Sequence, residues 1–131
     1  MTSETTTPGL WDRIGISLSG LCMVHCLLMP AVVAAVPLWS QAETLHDWLH
    51  PLLLLTLAPI TVMALVSTRS KPQARRVWLL LGAGLLALAL PTLFSHEAAS
   101  PVMETAFTLL GSGLLITGHR HNGRICRRCV H

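Results

Sequence analysis

Charge is what this chain most lacks. Only 11% of its 131 residues are Asp, Glu, Lys or Arg, against about a quarter in an ordinary soluble domain. Too few charges are present to cover a globular surface in water. Tyrosine is absent and phenylalanine occurs twice. No nucleotide-binding loop or other energy-coupling motif is visible, so work driven by ATP is not expected. Nor is there length for a second domain. What remains is largely Leu, Ala and Val, with 52% of residues hydrophobic and a mean hydropathy of +0.60. That balance fits an all-α integral membrane protein.

Four apolar runs occupy about residues 14–38, 49–68, 77–94 and 102–118. A helix crosses the hydrocarbon with roughly 17–25 residues, so the first run has length to spare and the fourth is marginal. The expected organisation is a disordered N-terminal tail over 1–10, a four-span membrane domain over 11–118, and a Cys/His-rich basic tail over 119–131. Prolines fall inside three of the spans, at Pro30, Pro59 and Pro91. Pro30 lacks the N–H that would bond the carbonyl of Cys26, so the first helix should bend there. Gly82/Gly84 and Gly111/Gly113 suit close helix packing in lipid.

The net charge is +3, and Arg and Lys fall almost entirely in two short stretches, Arg69 to Arg76 and Arg120 to Arg128. That distribution speaks for membrane topology and against nucleic acid as a partner. Segments 39–48 and 95–101 contain no Lys or Arg. Basic loops stay on the cytoplasmic side, so both termini are expected in the cytoplasm, with the chain multi-pass in the inner (cytoplasmic) membrane. Trp11, Trp39, Trp48 and Trp78 all fall near expected helix ends, where indoles favour the interface. The first span is longer than the roughly 7–15 residues of a signal-peptide core and follows Asp12 and Arg13, so it is expected to be retained.

Inside that first span lie Cys22, His25 and Cys26. Ionisable groups at such depth are costly and usually functional. On a helix, positions i, i+3 and i+4 share a face, so the three side chains should converge, along a stripe that continues to Ser19 and Met29. The Cβ atoms of an i, i+4 pair stand ~5–6 Å apart, whereas a disulfide wants about 3.5–4.5 Å. The pair is better suited to bracketing a soft metal ion, for which thiolates are selective ligands. His46 and His50 share an i, i+4 spacing and would meet an incoming cation on the outer side. Glu104, just inside the fourth span, needs a partner or water. The tail adds His119, His121, Cys126 and Cys129, with Arg124, Arg127 and Arg128 around the CxxC pair. These arginines favour the thiolate form, which binds metal.

These residues resemble a known family. Ser19-Gly-Leu-Cys22-Met-Val-His25-Cys26-Leu-Leu-Met-Pro30 is similar to the first-helix signature of the MerC-domain proteins. Glu43 with His46, Glu104 with Gly111, and His119-Arg-His-Asn122 followed by Cys126 and Cys129 extend the likeness over about residues 11–129. The resemblance implies a four-helix inner-membrane protein linked to mercuric-ion transport and mercury resistance. It maps the family's membrane cysteine pair to Cys22 and Cys26 and its cytoplasmic pair to Cys126 and Cys129. The Cys-x-x-His-Cys form departs from the closer cysteine pair of the mercury-resistance members.

The leading expectation is a carrier and not an enzyme. It would move a soft metal ion by thiol exchange from Cys22/Cys26 to Cys126/Cys129, with His25 assisting. No tightly bound cofactor is expected. Mercuric ion is the implied cargo, and copper, zinc or cadmium are compatible. Partners would be the lipid bilayer, a cytoplasmic thiol acceptor and, since four helices enclose little space, a second copy in a homodimer. A membrane thiol-disulfide oxidoreductase and a metal-binding sensor or assembly protein without flux are the alternatives. Counted from Ile14, Cys22 and Cys26 lie roughly 12 and 18 Å along the helix axis, a depth at which His46 or His50 is not expected to share the ion easily.

Overall fold

The computed structural model describes residues 9–35, 40–93 and 100–127. They form four helices: α1 (Leu10–Ala35), α2 (Ser40–Thr68), α3 (Ala74–Leu93) and α4 (Pro101–Arg127). No strand occurs among the described residues. Pro30, Pro51, Pro59 and Pro91 all sit within helical segments that continue past them. Trp39 lies outside the described residues.

Local chemistry sets the ends. Two successive turns, Lys71 N to Thr68 O at 2.9 Å and Ala74 N to Lys71 O at 3.0 Å, reverse the chain between α2 and α3. At the start of α4, Ser100 Oγ accepts from Met103 N at 3.3 Å, an N-cap. Pro101 takes the first helical position, where its missing N–H costs nothing.

The helices pack in chain order around a ring, each against its neighbours, with α4 also touching α2 across the middle. Large apolar side chains face outwards: Leu21, Val24 and Leu27 on α1, Leu52 and Leu55 on α2, Leu79 and Leu86 on α3 are all exposed. Small and polar residues turn in, as expected of helices that pack in lipid. By length and composition, Leu10–Met29, Trp48–Thr68 and Ala74–Leu93 are apolar enough to cross a membrane. α4 is long enough but less apolar.

Gly84 and Gly111 bring α3 and α4 into backbone contact. A Cβ on Gly84 would meet Gly111 O at 3.0 Å, and one on Gly111 would meet Gly84 O at 2.9 Å. Gly82 and Gly113 face open space instead.

The structure adds to two boundaries. Residues 119–127 continue α4 as helix, because one face of that extension is buried: His119, Asn122, Ile125 and Cys126 pack inwards while Arg120 and Arg124 stay exposed. The apolar run 49–68 matches the membrane-length stretch Trp48–Thr68, and the helix that carries it begins earlier, at Ser40. His50 therefore lies ten residues into α2, about 15 Å along its axis at 1.5 Å per residue.

Candidate metal-handling core

Cys22 and Cys26 are both buried, at 2% and 4% exposure, in the cluster that also holds Leu57, Leu81 and Leu115. Both are free thiols. Their side chains lie against one another; Cys22 also faces Ser112, and Cys26 faces Thr108 and Glu104, all on α4. From α2, His50 Nε2 comes to 3.8 Å from Cys26 Sγ. The same nitrogen stands 3.8 Å from Glu104 Oε1.

Three helices thus contribute to one buried group. The expectation that the thiols lie too deep for His50 is overturned. The early start of α2 carries His50 down to the level of Cys26, and α2 and α4 run parallel, which brings Glu104 alongside. The separations are long for direct hydrogen bonds. Among the described residues no three Cys, His, Asp or Glu side chains form a ready-made metal site. His25 is half-buried on α1 and does not complete a three-ligand set with the two thiols. The arrangement is a thiol pair, suited to a soft cation, flanked by an imidazole and a carboxylate.

At the opposite end of the bundle lies a second buried polar group. Asp12, Thr68, His119 and Asn122 are all nearly or fully buried. Asp12 Oδ1 accepts from His119 Nδ1 at 3.1 Å. Asn122 Nδ2 donates to Asp12 Oδ1 at 3.0 Å, to Asp12 Oδ2 at 3.1 Å and to Ala64 O at 3.2 Å. Thr68 completes the set by donating to Asn122 Oδ1 at 2.7 Å. The network ties the start of α1 to the ends of α2 and α4. The imidazole of His119 lies directly over Gly15, where any Cβ would collide with the ring. Its Nε2 is buried with no hydrogen-bond partner.

Cys126 is buried beside this network, its Sγ 3.9 Å from Ser67 Oγ. His121 is not with the thiols. It lines a cleft of about 650 Å³ together with Arg75 and Arg76, and an adjoining one of about 290 Å³ with Arg120 and Arg124. Side chains at Glu43, His46 and Asp47 are not described, although their backbone belongs to α2. Cys129 lies outside the described residues.

Sequence reasoning gave no role to Asp12 or Thr68, and named Asn122 only within the family motif. A signal was present: Asp12, Ser19 and Cys26 recur every seven residues, as do Ser112, His119 and Cys126. Such a repeat holds one helix face.

Among comparisons with known proteins, the family described as MerC mercury resistance protein matches residues 12–124. The match includes the thiol pair, His50, Glu104 and the whole Asp12 network, and stops short of Cys126. No curated protein and no solved structure matches the chain.

Proposed function

The chain belongs to the MerC family of mercury resistance membrane proteins, and from that premise we propose that it carries mercuric ion across the inner membrane by thiol ligand exchange. The observation that carries this reading is the buried, free Cys22/Cys26 pair with His50 at 3.8 Å from one thiol. Mercuric ion is soft and binds two sulfurs in a line, so a pair of thiols is sufficient without a third ligand. His50 and Glu104 stand where a cation arriving from the acidic end of the bundle would pass first. They also offer acceptors for the protons that thiols release on binding metal.

All four helices serve as spans in this reading, α4 included. Its polar residues face the interior or the last turns, and its outer face carries Val102, Met103 and Leu110. Arg13, Arg69, Lys71, Arg75, Arg76, Arg120 and Arg124 lie at the starts of α1 and α3 and the ends of α2 and α4. All are therefore at one end, which the preference for basic residues inside assigns to the cytoplasm, with both termini. Cys126, at that end, together with Cys129, takes the ion and passes it to a cytoplasmic thiol acceptor.

The test is uptake of mercuric ion into proteoliposomes by the full chain. The C22S/C26S variant loses uptake, whereas C126S/C129S keeps loading of the membrane pair and loses delivery. Uptake unchanged in C22S/C26S would sink the mechanism.

A further inference from the structure

Between the thiol pair and Cys126 lies a gap that thiol exchange does not bridge. Cys22 faces Ser112, and Cys126 is fourteen residues further along α4, about 21 Å at 1.5 Å per residue. The interior of that gap is not all apolar. Ser19, Thr61 and Ser112 are completely buried, and no hydroxyl among them has a hydrogen-bond partner. Ser112 lies against the Cys22 thiol, a weak partner that leaves its Oγ without a well-formed hydrogen bond.

These three behave unlike five other hydroxyls among the described residues. Thr56, Ser67, Thr92, Thr108 and Thr117 each donate to a carbonyl three or four residues earlier in their own helix, at 2.6–2.8 Å. That self-satisfaction is the usual habit of Ser and Thr in membrane helices. A buried hydroxyl that forgoes it costs free energy unless something else bonds it.

Their positions coincide. Ser19 is seven residues from Asp12, Thr61 seven from Thr68, and Ser112 seven from His119. Seven residues are close to two helical turns, about 10 Å, and return to the same face. Asp12, Thr68 and His119 belong to one network, so the three hydroxyls stand at one level above it, one from each of α1, α2 and α4. The bare His119 Nε2 lies over Gly15, one turn of α1 below Ser19. A buried water needs two to four polar partners, and three hydroxyls at one level are the right number.

We propose that Ser19, Thr61 and Ser112 form a water-binding tier, bounded by Cys22 above and His119 Nε2 below, which on the carrier reading is the passage from the thiol pair to the basic end. Neutral hydroxyls and water hold a soft cation weakly. A conducting path needs such a step, strong enough to admit the ion and weak enough to release it.

Hydroxyl-radical footprinting of the metal-free full chain in liposomes tests hydration without reference to transport. Leu57 and Leu115 lie one helical turn from Thr61 and Ser112 in sequence, while Leu81 and Val77 are equally buried on α3. The wild type should label Leu57 and Leu115 well above Leu81 and Val77, and S19A/T61V/S112A should bring them down to that level. In S19A/T61V, which leaves Ser112 beside Cys22 in place, mercuric-ion loading of Cys22/Cys26 persists while flux falls about tenfold or more, the worth of roughly one hydrogen bond. S19T and T61S, which keep the hydroxyls, retain both signals. Wild-type labelling no higher than at Leu81, or a triple variant that keeps labelling with an S19A/T61V variant that keeps flux, overturns the proposal. Labelling as expected in a chain that moves no mercury upholds the water site and removes the carrier reading instead.

Discussion

Cys26 Sγ and His50 Nε2 stand 3.8 Å apart, although 24 residues separate them in the chain. The contact exists because α2 begins ten residues before His50 and runs antiparallel to α1. It places an imidazole beside a buried thiol that also faces Cys22, Thr108 and Glu104.

Replacing that imidazole should therefore weaken capture of the ion without abolishing it. Groups that orient or support a ligand are typically worth 10–100-fold in metal affinity, so H50A should lower mercuric-ion affinity by about that factor. Competition against a soluble dithiol measures it. An unchanged affinity would show that His50 plays no part at the thiol pair.

Asp12 satisfies both His119 and Asn122 in a fully buried setting. D12A leaves the His119 donor bare and Asn122 Nδ2 with only its bond to Ala64 O, and should cost about 3 kcal/mol of stability. D12N, which keeps one acceptor oxygen, should cost less. Thermal unfolding in detergent micelles ranks the two.

The α3–α4 contact gives a prediction with internal controls. G84A and G111A push a methyl into backbone and Leu side chains, an overpacking worth about 1–3 kcal/mol. G82A and G113A meet nothing and should be neutral or slightly stabilising, since Ala is the better helix former. Equal effects at all four positions would contradict the packing.

Gly15 and His119 form a pair fit for a double-mutant cycle. G15A drives a methyl into the imidazole and should be strongly destabilising in the wild type but much less so beside H119A. A coupling of about 1–3 kcal/mol is expected between residues in such contact. Simple additivity would mean that the ring does not sit over Gly15.

Thiol trapping separates carrier from oxidoreductase. Cys22 and Cys26 are free, and the carrier reading expects both to be alkylated after denaturation, with or without mild oxidant. A disulfide that forms and reduces reversibly between them would favour electron exchange.

Much of this was legible in residue order. Apolar runs and basic loops gave the four helices, and the i, i+4 cysteines lay on an inward face as their spacing demanded. Boundaries were harder. The first two turns of α2, Ser40 to Asp47, are polar and resemble a loop by hydropathy, which hid the depth of His50. The extension of α4 was obscured in the same way: His119, Arg120, His121 and Asn122 look like a solvated tail until the partners of His119 and Asn122 on α1 and α2 are known. Partner choice between distant helix ends is a property of the packed bundle. Composition alone carries no record of it, and only the seven-residue recurrence of Asp12, Ser19 and Cys26 hinted at it.

The Asp12–His119 bond joins positions 107 residues apart. During synthesis Asp12 emerges early and waits, unpaired, until nearly all of α4 has been made. The network is thus a closing latch, which shuts only once α4 has been made as far as Asn122. A chain interrupted before His119 would have its Asp12 carboxylate without the imidazole and the amide that satisfy it in the finished bundle.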